Sequence, residues 1–151
     1  MTTLKERLRE DLTAAIKARD ELRSSTIRLT LSAVSAAETA GVEKRELSDD
    51  EVLQVVQGEA KKRRDAAAAF AGAGRDESAQ RERAEGEVLA GYLPRQLSDE
   101  ELAGIVAEAV ARSGASGPQA MGAVMKIVRP KVDGLAEGGR VAAAVKSALS
   151  K

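Results

Sequence analysis

Apolar residues recur every three or four positions along most of the chain, and capping residues, glycines and prolines cut that pattern into helical stretches. The first opens at Thr3-Leu4-Lys5-Glu6, a capping box, and places Leu4, Leu8, Leu12, Ala15 and Ile16 on one face. Its pattern breaks at Ala18-Arg19-Asp20-Glu21, which predicts a short turn. A second helix carries Ile27, Leu31 and Val34, widened by Leu29 and Ala33, and is expected to end at Gly41 as a left-handed cap. Residues 42–47 read as a loop. The third helix starts at the box Ser48-Asp49-Asp50-Glu51 and turns Val52, Val55, Val56, Ala60, Ala67 and Phe70 inward, with Gly72 and Gly74 as its stop. A fourth, over roughly 75–92, is strongly charged and has Ala84, Val88 and Leu89 as its apolar edge. Short connections imply an antiparallel arrangement, or two long arms with a loose tip.

Helical periodicity then stops at Gly91-Tyr92-Leu93-Pro94-Arg95-Gln96-Leu97 and resumes at the box Ser98-Asp99-Glu100-Glu101. Pro94 has no N–H and pushes Leu93 out of the helical region, so this stretch is a joint between residues 1–93 and 94–151. Its backbone is expected to be exposed and poorly hydrogen-bonded. Tyr92, the one tyrosine, is expected to pack its ring against both units and keep its hydroxyl in water. Beyond the joint a fifth helix carries Leu102, Ile105, Val106, Ala109 and Val110 and stops near Gly114. A sixth begins at Ser116-Gly117-Pro118-Gln119, where Gln119 could close another box, buries Met121, Val124, Met125 and Val128, and is expected to end at Pro130. After a loop holding Asp133, Gly134, Gly138 and Gly139, a last helix carries Val141, Val145, Ala148 and Leu149. The fold class read from the pattern is all-α: about four helices, then a small three-helix tail.

Composition changes that picture in two ways. Apolar residues make up 43% of the 151, too many for a disordered chain, and aromatics only 1%, which points to helices packed through Ala, Leu and Val. The absence of Cys and His removes thiol chemistry and the commonest general base and metal ligand. No metal or cofactor is expected, and no catalytic set is identified. The charged start and the lack of a long apolar run predict a soluble cytoplasmic protein without membrane contact.

Net charge is zero, but residues 94–151 hold eight Lys and Arg against six Asp and Glu. From Arg112 onward only Asp133 and Glu137 oppose seven cations, an excess of five, so an anionic partner is expected for the tail. Lys126, Arg129 and Lys131 around the end of the sixth helix, with Arg140 and Lys146 across the loop on the seventh, are the candidate RNA-binding residues. With one Tyr and one Phe there is no stacking platform, so the expected contact is with phosphates and shape. Lys61-Lys62-Arg63-Arg64 looks like a second patch, but consecutive helical residues point about 100° apart. Glu59 with Arg63 and Lys61 with Asp65 predict a solvated, charge-balanced face instead. Residues 134–139 lack the strand and the Gly-Lys-Ser/Thr ending of a phosphate loop, although Lys131 and Arg140 flank the helix start that follows.

The chain resembles the GatB/YqeY family, and within it the small stand-alone YqeY-like proteins. The likeness runs through Asp11-Leu12, residues 14–20, Thr26-Ile27-Arg28-Leu29, residues 59–65 and Ala73-Gly74-Arg75. It is strongest at residues 92–98 and continues through residues 121–126. The resemblance implies an all-helical fold with a three-helix tail. In the B subunit of the glutamine-dependent tRNA amidotransferase, a carbon–nitrogen ligase, the similar region follows a catalytic cradle and its tail helps hold the tRNA. The cradle is missing here, so the resemblance implies a tRNA-binding module, or an accessory factor touching a tRNA-modifying enzyme through protein contacts. One departure stands out: the family loop often reads Gly-Arg-Ala-Asp-Gly, whereas here it is Gly134-Leu135-Ala136-Glu137-Gly138.

Overall fold

The computed structural model describes residues 2–150. Among them are seven α-helices and no strand, in two compact units, Met1–Leu93 and Pro94–Lys151. The first unit contains α1 (Leu4–Lys17), α2 (Glu21–Glu38), α3 (Asp49–Gly72) and α4 (Asp76–Ala90). The second contains α5 (Asp99–Ser113), α6 (Met121–Val132), entered through a 3₁₀ turn at Pro118–Ala120, and α7 (Gly138–Leu149). The capping boxes at Thr3, Ser48 and Ser98 all form, each with its reciprocal pair of bonds.

In the first unit α3 and α4 make a long hairpin, α1 pairs with α2, and α2 lies on both hairpin helices. Leu8, Ile27, Val34, Val52, Val56, Leu89 and Tyr92 form the core. Its inward stripe on α2 differs from the sequence expectation. Leu29 is half exposed, being about 200° around the helix from Ile27, while Thr26 and Thr30 are buried. Their hydroxyls donate to the carbonyls of Leu22 and Thr26 at 2.8 and 2.9 Å, so neither hydroxyl is stranded.

α2 ends at Glu38 with Thr39 as cap, short of Gly41. Long-range bonds turn the chain there. Lys5 Nζ donates to both Glu38 carboxylate oxygens at 2.8 and 2.9 Å, the Leu47 amide donates to the same group, and the Arg45 amide takes the Glu38 carbonyl at 3.0 Å. The Lys5 bond, then the Leu47 amide, lowers the Glu38 pKa.

Tyr92 belongs to the first unit's core and is 6% exposed. Its hydroxyl is not left to water: it donates to the Asp11 carboxylate, which has Arg23 at 3.7 Å. The Arg7 guanidinium sits 4.6 Å from the ring centroid and also donates to the Gly91 carbonyl. Burial, then the Asp11 bond, pushes the phenol up to about 12.

The second unit packs α5, α6 and α7 around Leu102, Val106, Ala109, Val124, Val128, Val132, Val141, Val145 and Leu149. Gly114 caps α5 with a left-handed φ of 64°, which glycine takes without strain. Three expectations need correction. Gln119 makes no cap bond; the turn closes instead through the Ala120 amide and the Gly117 carbonyl at 3.0 Å. α6 runs past Pro130 to Val132, because Val132 is buried and the Asp133 amide still reaches the Arg129 carbonyl at 3.0 Å. Gly138 and Gly139 form the first turn of α7 rather than loop, leaving residues 133–137 as the connection.

The joint is better bonded than its sequence implies. The Tyr92 and Leu93 amides reach the Leu89 and Ala90 carbonyls. Within the second unit, the Leu97 amide bonds the Leu135 carbonyl at 2.8 Å, and the Gln96 side chain bridges the Pro94 and Gly134 carbonyls. Arg95 pairs in a fork with Glu101 at 2.9 and 3.0 Å. Of these partners, Leu135 and Gly134 were out of sight in the sequence, because they lie 38 residues along the chain and are brought in by the fold of the tail.

Candidate nucleic-acid interface

The tail's cations divide by what each already touches. Arg140, on the first turn of α7, donates to the Leu97 carbonyl at 2.8 Å and to Asp99 at 2.9 Å. It is part of the framework that holds the start of the second unit. Lys126, Arg129 and Lys131 on α6 and Lys146 on α7 are exposed, as is Arg112 at the end of α5. None of these five has an acidic partner among the described residues.

Helix geometry separates them further. At about 100° per residue Lys126 and Arg129 lie about 60° apart, on one exposed flank of α6. Lys131 falls about 140° from Lys126, on the opposite side of the stripe Val124–Val128–Val132. Arg140 and Lys146 are about 120° apart around α7. The structure therefore brings Lys126 and Arg129 together and distributes the others. Arg129 and Lys131 also complement the negative carbonyl end of α6, a local reason for cations at that position.

The start of α7 is already furnished with an anion. Glu137 is its N-cap, and a Cβ on Gly139 would stand 3.0 Å from the Glu137 carboxylate. That carboxylate opposes a phosphate at this helix end. The Lys61–Arg64 run is used internally. Lys61 pairs with Asp65 at 2.6 Å and Lys62 with Glu59 at 2.9 Å. Arg63, 14% exposed, lies between Glu59 at 3.5 Å and Glu85 at 3.3 Å. Arg81 continues the chain of charges from Glu85 to Glu21, each at 3.2 Å. The two i,i+4 pairs were legible in the sequence. Glu85 and Glu21, on other helices, were not, and Arg63 is a strut between α3 and α4 rather than a solvated residue.

Among the described residues no group of acidic side chains is arranged to hold a metal ion, and no helix is long and apolar enough to cross a membrane. The fold and its cation distribution define an all-α protein of two helical units, the second carrying basic side chains that have no acidic partner among the described residues. The chain belongs to the YqeY family: the model of the Yqey-like proteins matches residues 5–149. No protein of curated function matches it.

Proposed function

We propose that this protein is a non-catalytic helical module that engages tRNA, or an enzyme carrying tRNA, through the phosphate backbone. The observation that carries the reading is the set of exposed cations on α5, α6 and α7 without acidic partners among the described residues, led by the adjacent Lys126 and Arg129. Lys131 and Lys146 add positive potential from other directions, and Arg140 contributes chiefly by holding Leu97 and Asp99. The resemblance of the tail to the tRNA-holding region of the amidotransferase B subunit supports the same direction. The absence of a stacking platform limits the contact to charge and shape.

Neutralising roughly three phosphates gives a log K against log salt slope of about −2 to −3. The test titrates the full chain with bulk tRNA at two salt concentrations, beside a variant with Lys126, Arg129 and Lys131 changed to alanine. The variant is expected to bind all tRNAs more weakly and with a shallower slope. No binding at low salt, or a variant that binds like the parent, defeats the RNA reading and leaves a protein-contact role beside an amidotransferase.

A further inference from the structure

The corner between α1 and α2 holds a shallow, open cleft of about 270 Å³, lined by Ala15, Ile16, Arg19, Glu21, Ser24 and Arg28. Three features set it apart from ordinary surface. Ile16 continues the apolar stripe of α1, yet it is 48% exposed in the cleft wall. Arg19 and Arg28 are exposed and have no acidic partner among the described residues. Glu21, the acid beside them, is already bound to Arg81.

The backbone at Arg19 adds an independent observation. α1 ends in a Schellman turn, with the Arg19 amide on the Ile16 carbonyl at 3.1 Å and the Asp20 amide on the Ala15 carbonyl at 2.9 Å. The residue at its left-handed position is usually glycine, but here Arg19 takes φ 57°, the one described non-glycine residue with positive φ. An arginine is thus held in a disfavoured conformation while its guanidinium makes no hydrogen bond or ion pair among the described residues. Such local strain is a recognised accompaniment of binding positions.

We infer that this cleft docks an acidic, leucine- or isoleucine-bearing segment of a partner protein. Its carboxylates meet Arg19 and Arg28, and one aliphatic side chain covers Ile16 and the buried Ala15. The volume is below that of an ordinary small-molecule pocket and open on one side, which suits one or two side chains of a larger surface. Net charge at the rim is positive because Arg19 and Arg28 outnumber Glu21, which is also paired with Arg81, so acidic segments are favoured over basic ones. This surface lies in the first unit and is independent of the tail reading.

The test uses isotope-labelled full-length protein and a blocked synthetic peptide alternating leucine and glutamate, with a leucine–glutamine peptide as control. The glutamate peptide is expected to shift the amides of Ala15, Ile16, Arg19, Ser24 and Arg28, and the glutamine peptide to bind more weakly. Arg19→Gly and Arg28→Ala should each weaken the interaction about two- to fivefold, the range of an exposed charge pair. Arg19→Gly keeps the fold, because glycine is the residue this turn prefers. Equal binding of both peptides, shifts centred elsewhere, or tRNA rather than the peptide moving these amides would overturn the inference.

Discussion

Tyr92 offers the sharpest physical test because it is the one tyrosine and there is no tryptophan. Its phenol rises from 10.0 to about 12, first because burial disfavours the phenolate and second because Asp11 accepts its proton's hydrogen bond. The folded value lies above the unfolded one. The stabilisation is therefore complete below pH 10 and disappears as pH climbs to about 12, where the unfolded chain has already ionised. That rise corresponds to at most about 2.7 kcal/mol. Asp11 keeps 31% of its side chain in water, so screening reduces the figure to about 1–2 kcal/mol. Tyrosinate absorbance, followed in the native protein and in urea, reads this single group. A native midpoint near 12 and an unfolded one near 10 are expected. Urea unfolding should show the parent's advantage over Tyr92→Phe, about 1–2 kcal/mol at neutral pH, shrinking between pH 10 and 12. A native midpoint at 10 would refute the buried Tyr92–Asp11 bond.

Glu51 and Glu101 are each held at about 2, chiefly by Arg45 and Arg95 respectively, so their support is present above pH 4.5 and lost towards pH 2. The urea midpoint difference between parent and Glu101→Gln should accordingly shrink over that acid range. Leu8→Ala, at a fully buried site, should cost about 2–5 kcal/mol in chemical denaturation, whereas Leu29→Ala, half exposed, should change stability by less than about 0.5 kcal/mol. In limited proteolysis the first cuts should fall over residues 93–96 before any within Val124–Val128, with the Leu97 amide bond marking the protected side; simultaneous cutting in both would contradict the anchoring described. Arg19→Gly should leave the urea midpoint unchanged or raised, since it relieves a left-handed arginine at about 1–2 kcal/mol while adding about 0.5–1 kcal/mol of unfolded-chain entropy.

What the sequence determined by itself was most of what local chemistry decides, the Gln119 box and the glycines that start α7 excepted. Capping boxes at Thr3, Ser48 and Ser98 set where α1, α3 and α5 begin, because both partners of each box lie within three residues. Spacing of Val and Leu assigned the tail's inward faces on α5, α6 and α7, and the two i,i+4 pairs around Lys61 and Arg63 followed from helix pitch. Only the tertiary structure decided the rest, because the partners are far apart in sequence. Glu38 stops α2 early through Lys5 and Leu47, and Val132 carries α6 past Pro130 because the core needs it. Asp11 receives the hydroxyl of Tyr92 across 81 residues. In the candidate site, composition revealed that the tail is basic, but packing decided which cations are spent. Arg140 is committed to Leu97 and Asp99, whereas Lys126 and Arg129 are exposed on one flank of α6 with no acidic partner among the described residues. A charge's availability depends on what folding places beside it, and nothing within a few residues of Arg140 announces Asp99.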